Sequence, residues 1–498
     1  MKQETTLPLA QTKQQRAFWN KLRPVNIPAA CDTYKRTMSG SSTLFADNFA
    51  CYSLAARKSL EEEGTNGRLI MAGLEKLLYP WFMEPVTEEE VCEAQEFFTK
   101  YSQVKKFPTN AWKSVLDNGG YFPIDIYALP GGQTFLVKDG KHIPFMSVEG
   151  PGALVTHLEP HLEHAFAPLI HATKARLFKE AVGNKFAEFG YRADQEINNH
   201  VNLLHALYVG AGFSLTSDDQ AVFLFPEYFK DIGTVGHEFI MAYQKKGRSL
   251  EEAQMLAYED FVAKNQRSAL LPDVISTLRS GLPAILELVR RYQKINPEKI
   301  IMPRFDSGDV PEQCIHWKRM NLLARIPKTT MVVEDGYTPK KAEETYNRYA
   351  LAGFNPDDII TGAGGYFQHG CTRDALSLVF KRSATMHDTE LEESLKFSDS
   401  PGKESIPGQI RIYGRDRTLI VAQAHERIDG ATMLSRKVLS QGRIVNAEDL
   451  FEQAARANET WNQYESIEYS PETKRIIQVR TAERDEILKR YSKEGAVA

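Results

Sequence analysis

The feature that most constrains the fold is a glycine-rich turn at the start of Gly362–Lys381, GAGGYFQHGCTRDALSLVFK. It directly follows residues 358–361, whose apolar centre is typical of a short buried strand. Closely spaced glycines let backbone N–H groups converge on an anion, because no Cβ blocks the approach. The three glycines of this turn are Gly362, Gly364 and Gly365. The turn predicts a phosphate-binding site, although an ordinary tight turn can carry the same glycine pattern.

Two acidic motifs upstream follow apolar runs in the same way. RFDSGD at 304–309 follows the apolar residues 300–302, and VVEDG at 332–336 ends in Asp335 and Gly336. Asp306 can accept hydrogen bonds from sugar hydroxyls, and Arg304 can bind phosphate oxygens bidentately, although a surface Arg–Asp pair would also explain the motif. Three consecutive strands that end in acid or glycine predict the active face of a β/α barrel.

These motifs, RFDSGD, EDG and GAGG with CTRD, resemble those of the nicotinate and nicotinamide phosphoribosyltransferases, which are type II phosphoribosyltransferases. The resemblance covers most of the chain. Further matching segments are CDTYK near the start, EFGYR at 188–192, LTSD at 215–218, GTVGHE at 233–238 and DSPGKESIPG at 399–408. The resemblance implies an α/β fold: an irregular β/α barrel with a second, β-rich α+β domain formed by the N- and C-terminal segments. We expect the barrel at 166–385, and the accessory domain at 1–165 and 386–498.

Composition narrows the classes of partner and compartment. The formal net charge of −4 offers no global attraction for nucleic acid or an anionic membrane, so phosphates must be met by local cations. Five cysteines form no CxxC pair, which favours a reducing cytoplasm. No run approaches the ~20 apolar residues of a membrane helix. We expect a soluble cytoplasmic protein that binds small molecules, with neither nucleic acid nor membrane as a partner.

Coarse patterns predict the remaining elements. Residues 55–105 have a helical pattern that includes Ile70, Leu74 and Leu77, with a helix start at Thr87. Short strands are expected at 120–150, and the final hundred residues should form strands followed by a charged helix from 473 to 493. A run of histidines has the spacing of metal ligands on a helix, but Pro160 interrupts it, so we assign no metal ligand and expect polar-core or interface histidines. The histidines are His157, His161 and His164.

The resemblance implies how a pyridine base is bound. Tyr34, in CDTYK, corresponds to a ring that stacks on the base from the neighbouring subunit, and Phe189 forms the other face of this sandwich. Arg192 contacts the base or a phosphate. An electron-poor pyridine stacks well between two aromatic rings, so the assignment is physically sound. It predicts a homodimer with shared active sites; the alternatives are a tyrosine that anchors its own N-terminal segment and a buried Phe beside a surface Arg.

The resemblance also implies the catalytic and phosphate-binding residues. His237 and Asp306 are the expected catalytic residues, and family members phosphorylate the matching histidine with ATP. Mg²⁺ is the expected cofactor, with ATP as a stimulating substrate. The expected ribose- and phosphate-binding residues are Asp273, Arg304, Asp335, Gly336, Gly364, Gly365, Arg373 and Lys403. Asp273 matches loosely, and Lys403 could equally be a surface turn lysine.

The expected reaction is transfer of a phosphoribosyl group from phosphoribosyl pyrophosphate to a pyridine base in NAD salvage. Nicotinamide is favoured because Ala193 replaces a second basic residue, and because Asp218 can accept from the amide NH₂. Beside a nicotinate carboxylate, Asp218 would meet repulsion of about 4 kcal/mol at ~4 Å and an effective dielectric of ~20. The alternatives are a nicotinate enzyme coupled to ATP hydrolysis, and a larger donor such as ADP-ribose pyrophosphate that gives NAD directly. A quinolinate enzyme or a non-enzymatic binding protein is less favoured.

Overall fold

The computed structural model describes residues 7–194, 196–326, 328–398 and 404–494. It divides the chain into two compact units. The terminal unit comprises the chain up to residue 174, residues 205–210, and the chain from residue 370 onward. The central unit comprises residues 175–204 and 211–369, and it lies within the range expected for the barrel, 166–385. None of the described helices is both long enough and apolar enough to cross a membrane.

The N-terminal part of the chain alternates helices with short strands. Its helices are α1 (Lys13–Lys21), α2 (Thr33–Ser39), α3 (Thr43–Asp47), α4 (Leu74–Phe82), α5 (Glu88–Lys100), α6 (Thr109–Asp117), α7 (Gly152–His157) and α8 (Glu159–Leu162). Its strands are β1 (Phe49–Ala55), β2 (Arg68–Ile70), β3 (Asp125–Ala128), β4 (Thr134–Lys138), β5 (Lys141–His142) and β6 (Pro144–Pro151). The strands expected at 120–150 are confirmed.

The helical pattern expected for residues 55–105 is confirmed in part: the helix start at Thr87 is correct, but the prediction for residues 55–70 is wrong. Thr87 and Glu90 form a capping box at the start of α5, as the sequence predicts. Ile70, in contrast, lies in β2 and pairs with Thr134 of β4. The helical prediction for residues 55–70 fails because Gly64 and Gly67 adopt positive φ of 84° and 81°, which ends any helix before β2.

The middle of the chain alternates strands and helices. Its helices are α9 (Phe166–Val182), α10 (Ile197–Ala211), α11 (Asp219–Leu224), α12 (His237–Met241), α13 (Leu250–Lys264), α14 (Leu282–Ile295), α15 (Val310–Leu323), α16 (Pro339–Leu351) and α17 (Gly365–Gln368). Its strands are β7 (Phe186–Glu188), β8 (Leu215–Thr216), β9 (Lys230–Asp231), β10 (Arg267–Leu270), β11 (Ile300–Phe305), β12 (Met331–Val333) and β13 (Ile359–Ala363).

The C-terminal part contains the other eight strands of the described residues. Its helices are α18 (Arg373–Leu376), α19 (Leu450–Thr460) and α20 (Pro471–Glu494). Its strands are β14 (Val379–His387), β15 (Glu390–Glu393), β16 (Ile410–Arg415), β17 (Thr418–Gln423), β18 (Thr432–Met433), β19 (Arg436–Ser440), β20 (Arg443–Ile444) and β21 (Ser466–Tyr469). The predicted late strands and the charged final helix are confirmed.

The seven strands of the central unit form one parallel sheet in the order β10-β11-β12-β13-β7-β8-β9. Apolar side chains of three neighbouring strands pack into one cluster, with Ala269, Met302 and Val332 buried. The central strands of a parallel sheet are buried on both faces, which explains the apolar runs of β11, β12 and β13, whereas the two-residue edge strand β9 is exposed. This curled sheet with its crossover helices confirms the predicted α/β barrel-like fold, and it brings the carboxyl ends of β10 to β13 to one edge.

The terminal unit is built on antiparallel pairing that mixes both ends of the chain. Its largest sheet has the order β15-β14-β1-β6-β3-β19-β20, so that β1 lies between β6 and the late strand β14. Two smaller sheets have the orders β18-β16-β17-β21 and β2-β4-β5. The predicted β-rich domain formed by N- and C-terminal segments is therefore confirmed.

Candidate active site

An open cluster of acid and histidine side chains lies at the carboxyl ends of β10 and β11. Asp273 follows β10, Asp306 follows β11, and His237 opens α12. One potential ligand atom from each of these three residues lies within 4.8 Å of the others. His237 Nε2 is 2.8 Å from Asp273 Oδ1, and Ser307 Oγ donates to Asp273 Oδ2 at 2.7 Å. The arrangement can bind a cation or the hydroxyls of a sugar, and the sequence had assigned no metal ligand here.

The two carboxyl groups of this open cluster differ in their electrostatics. Burial and then the neighbouring Asp273 carboxylate raise the pKa of Asp306. Burial would also raise the pKa of Asp273, but the hydrogen bonds from Ser307 and His237 outweigh burial and lower that pKa. Asp306 Oδ1 is buried and has no hydrogen-bond partner among the described residues. The open cluster is therefore incomplete by itself, as expected of a site that receives a ligand.

Arg304 lies beside this cluster and is held by three groups. Its guanidinium donates to the Thr234 hydroxyl, its Nε lies 3.4 Å from Glu334 Oε1, and an Nη lies 4.0 Å from Asp306 Oδ2. Burial raises the pKa of Glu334, and the charge of Arg304 opposes that rise. The hydrogen bond to Thr234 and the two nearby carboxylates orient the guanidinium of Arg304, and such a planar fork suits phosphate.

Glu334 contacts Arg304, whereas the residues predicted from the sequence to bind ribose or phosphate are its neighbours Asp335 and Gly336. Asp335 and Gly336 are exposed, and Asp335 pairs with Lys341 at 3.1 Å. Asp335 also adopts an unusual φ of 90°, a backbone conformation that non-glycine residues rarely accept. The signal for Glu334 was present, because side chains alternate along β12 and only one acid of EDG can follow Val332 on its face.

The glycine turn after β13 packs against the turn after β7. A Cβ on Gly362 would lie 2.8 Å from the Phe189 ring, and one on Gly364 would lie 2.3 Å from the Gly190 Cα. Glycine is required at both positions by this close approach. Gly365, in contrast, is exposed with open space around it. The Phe189 ring thus packs against the predicted phosphate-binding turn.

Arg192 and Asp218 lie in different environments within the central unit. Arg192 is exposed, and its positive charge acts on Glu334. Asp218 is 1% exposed and caps α11, accepting from the backbone N–H groups of Gln220 and Ala221. Its second oxygen, Oδ2, lies 2.9 Å from Nδ1 of the fully buried His200. Asp218 is therefore a buried, paired carboxylate, and its partner His200 could not be identified from the spacing of residues.

The loop that carries Asp273 packs against the start of α14. Residues Thr277–Gly281 form one turn of π-helix directly before α14. A Cβ on Gly281 would lie 2.0 Å from the Pro272 carbonyl oxygen. The absence of a side chain at Gly281 therefore allows the backbone before Asp273 to approach α14 this closely.

The remaining predicted residues belong to the terminal unit or lie outside the described residues. Tyr34 is 49% exposed, and its hydroxyl lies 3.5 Å from Glu159 Oε1. Arg373 is the first residue of α18, and its Nε lies 2.8 Å from Glu163 Oε2. Lys403 lies outside the described residues. Sequence reasoning gave no role to Lys381 of β14, whose pKa is lowered by burial even though Glu159 and Glu163 oppose the shift.

The three histidines considered as metal ligands each bond the backbone of the terminal unit. His157 Nε2 lies 3.0 Å from the Ile27 carbonyl, and His161 Nε2 lies 2.7 Å from the Leu77 carbonyl. His164 Nδ1 lies 2.8 Å from the Pro160 carbonyl. Burial lowers the pKa of His157 to about 4 and that of His161 to about 3, so both are neutral parts of the core.

Comparison with known proteins agrees with this fold and these motifs. No protein-family model matches the chain. The chain is 27% identical over 327 residues to nicotinate phosphoribosyltransferase of Bacillus subtilis, a match that covers 62% of this chain and 60% of that relative. It is 23% identical over 389 residues to nicotinamide phosphoribosyltransferase of Xanthomonas campestris, which covers 69% of this chain and 79% of that relative. The chain thus spans less than two thirds of the first relative.

Among solved structures, the chain is similar to human nicotinic acid phosphoribosyltransferase. The TM-score is 0.67 at 18% identity, and the superposition covers 89% of this chain and 95% of the human one. At that identity the likeness shows a shared fold. Together with the two curated relatives, it confirms that the chain resembles the nicotinate and nicotinamide phosphoribosyltransferases in both sequence and fold.

Proposed function

We propose that this chain transfers the 5-phosphoribosyl group of phosphoribosyl pyrophosphate to the ring nitrogen of a pyridine base in NAD salvage. The observation that carries the proposal is the open cluster of His237, Asp273 and Asp306 beside the fixed Arg304. Asp273, Arg304 and Asp306 lie at the carboxyl ends of the neighbouring parallel strands β10 and β11, where barrel enzymes bind their substrates, and His237 joins them from the start of α12. The names of both curated relatives support the same reaction class.

The reaction needs positioning more than a covalent nucleophile. The bond between ribose C1 and pyrophosphate breaks with its electron pair on the leaving oxygen, and the lone pair of the base nitrogen forms the new bond to C1. In our proposal, Asp273 and Asp306 accept hydrogen bonds from ribose hydroxyls, and Arg304 binds phosphate. Phe189 stacks on the base, holding its nitrogen in line with C1 and excluding water. The products are the mononucleotide and pyrophosphate.

Mg²⁺ is the cation that fits the open cluster. Carboxylate oxygens are the protein ligands that Mg²⁺ prefers, and Asp306 Oδ1 is a buried oxygen without a hydrogen-bond partner in the described part of the chain. Asp273 and Asp306 would hold the ion. When bound, it would neutralise charge that develops on the departing pyrophosphate.

We propose that ATP stimulates the reaction by phosphorylating His237. The side chain of His237 is 42% exposed, and its Nε2 is held by Asp273. Its Nδ1 bonds none of the described residues, so this nitrogen can attack the γ-phosphorus of ATP and release ADP. The phosphoryl group would then add negative charge beside the two carboxylates and favour binding of Mg²⁺.

We propose nicotinamide as the preferred base, with a kcat/KM only slightly higher than that for nicotinate. Ala193 leaves the turn after β7 with one cation, Arg192, to meet a carboxylate. Both oxygens of the buried Asp218 are already occupied, so Asp218 favours a carboxamide only through its charge. That charge is shared with His200, so its repulsion of nicotinate is weaker than the sequence implies. A homodimer is the proposed assembly, with the exposed Tyr34 supplied to the site of the partner copy.

The test is product analysis by mass spectrometry. Purified protein is mixed with Mg²⁺, phosphoribosyl pyrophosphate and either nicotinamide or nicotinate, with and without ATP. We expect the mononucleotide and pyrophosphate from nicotinamide at higher kcat/KM than from nicotinate, and a faster reaction with ATP. Failure to form either mononucleotide contradicts the proposed function, whereas a preference for nicotinate contradicts only the choice of base.

A further inference from the structure

Behind the turn that carries Phe189 lies a buried triad of Glu188, His200 and Asp218. These side chains are 1%, 0% and 1% exposed. His200, on α10, lies between the two acids: its Nδ1 is 2.9 Å from Asp218 Oδ2, and its Nε2 is 3.3 Å from Glu188 Oε1. A neutral imidazole can donate from one nitrogen only, so two facing carboxylates favour the doubly protonated ring.

The surroundings of His200 agree with a positive charge. Burial is the largest influence and opposes the charge, but hydrogen bonds and charges from Asp218 and Glu188 together outweigh it and raise the pKa of His200 to about 9. The titratable groups that face the ring in the described chain are Glu188 from β7, Asp218 from the start of α11, and Tyr191 from the turn after β7. The Tyr191 ring lies edge-on to His200, with centroids 5.3 Å apart.

Both acids of the triad control the position of proposed base-binding segments. Glu188 Oε1 accepts from the Gly190 N–H, directly beside Phe189, and Oε2 accepts from the Thr216 hydroxyl at 3.0 Å. Asp218 fixes the start of α11 through the N–H groups of Gln220 at 2.9 Å and Ala221 at 3.2 Å. Through these two acids, the position of His200 therefore influences both the turn of residues 188–192 and the loop of residues 215–218.

We propose that His200 is a positioning and specificity-determining residue, which holds Glu188 and Asp218 and balances the charge of Asp218 so that the preference for a pyridine carboxamide over a carboxylate stays small. The inference rests on the proposed function. With His200 protonated, the triad carries a net charge of about −1, since two carboxylates face one cation. Loss of that cation leaves two uncompensated negative charges behind the base, which repel nicotinate and leave nicotinamide unaffected.

Three variants test this charge balance. His200→Gln keeps a donor but removes the cation; Asp218→Asn removes one acid; the double variant restores the net charge of the wild-type triad. We expect His200→Gln to raise the ratio of kcat/KM for nicotinamide over nicotinate by at least about tenfold, mainly through KM for nicotinate. Asp218→Asn should lower the ratio below the wild-type value. The double variant should return it to near that value.

A pH profile separates this role from a structural one. In the wild type, the ratio should be flat from pH 7 to 8 and rise above about pH 9, as His200 loses its proton. In His200→Gln it should no longer depend on pH in this range. His161→Gln is the matched control, because it removes a half-buried, neutral histidine that bonds a backbone carbonyl and stacks on Trp81 with no carboxylate among its described partners, and it should leave the ratio unchanged.

The outcomes are distinct for the two proposals. A wild-type protein that uses neither base overturns the proposed function, and the inference with it. An active wild type in which His200→Gln lowers kcat/KM equally for both bases, or in which the ratio does not move, overturns the inference alone. If His200→Gln does not fold, the test uses the wild-type pH profile and the ratio of kcat/KM for nicotinamide over nicotinate in Asp218→Asn. A flat profile together with an unchanged ratio overturns the inference about His200.

Discussion

The central unit contains two clusters in which a histidine meets a pair of carboxylates, and they differ in almost every other respect. In the open cluster, His237 is half exposed, and Asp306 keeps a buried oxygen without a partner among the described residues. In the buried triad, His200 lies between Glu188 and Asp218, and water reaches none of the three. The same residue types thus form a receptive site where the histidine is accessible and a carboxylate oxygen lacks a partner, and a support where a fully buried histidine lies between both acids.

The largest expected effect comes from the open cluster. Asp306→Asn should lower kcat/KM by about 10³-fold, because a group that meets the reacting sugar loses its charge. Stability should be unchanged or higher, because the variant removes like-charge repulsion from Asp273. Steady-state kinetics and a thermal melt measure the two effects.

A matched control for that variant lies three residues away. Asp309→Asn changes an exposed acid of the same motif that caps α15 and pairs with Arg348. It should reduce stability slightly and leave kcat/KM near the wild-type value. Equal losses of activity in the two variants, or a large loss of stability in Asp306→Asn, would assign Asp306 a structural role and remove the contrast between the clusters.

The buried triad should respond in the opposite way. Glu188→Ala leaves His200 facing one acid and removes the acceptor of the Gly190 N–H, so we expect a loss of about 3 kcal/mol in the free energy of unfolding. Urea denaturation followed by circular dichroism measures it. A loss below about 0.5 kcal/mol, the usual range for surface substitutions, would mean that the triad does not support the fold.

The pH dependence of stability sharpens the comparison further. The folded-state pKa of His200 is about 9 and lies above its ordinary value near 6.5, so its contribution is fully present below about pH 6.5. That contribution is lost as the pH rises from about 6.5 to 9, and amounts to at most ~3 kcal/mol. Unfolding measured across this range should show the decline in the wild type and a weaker decline in His200→Gln. Equal slopes in the two proteins would contradict a charged His200.

The smallest expected effect concerns His237 of the open cluster. His237→Ala should abolish acceleration by ATP and leave a slow ATP-independent reaction, because the proposed phosphorylation of His237 favours Mg²⁺ binding and takes no part in the bond that breaks. Incubation with labelled ATP should phosphorylate the wild type and not the variant. Label of equal stability and amount in both proteins would place the phosphoryl group elsewhere.

The sequence predicted the parts of the site that depend on local order along the chain. Asp306, the EDG segment and the glycine turn could be found because each follows an apolar strand, and parallel neighbours bring their ends together. The helix predicted from the pattern around Ile70 is wrong, because strand pairing with β4 and two glycines of positive φ outweigh the short-range periodicity.

The buried triad could not be predicted in this way. His200 is one of two histidines in the largely apolar sequence of α10, eighteen positions before Asp218, and nothing in its spacing identifies two acidic partners. Asp218 was therefore interpreted as an uncompensated charge beside the base. Long-range pairing of this kind depends on how α10 packs behind β7 and β8, which residue patterns do not encode locally.

The interleaved sheet of the terminal unit has a consequence for synthesis. β1 pairs with β14 across residues such as Ala50 and Thr385, so its second edge stays unpaired until most of the chain has left the ribosome. Domains generally fold as units during translation, and the central unit lies wholly between these two strands. We therefore expect the central unit to fold first, with the nascent N-terminal strands waiting for their C-terminal partners, and ribosome-bound chains arrested near residue 370 to expose an edge to which chaperones bind.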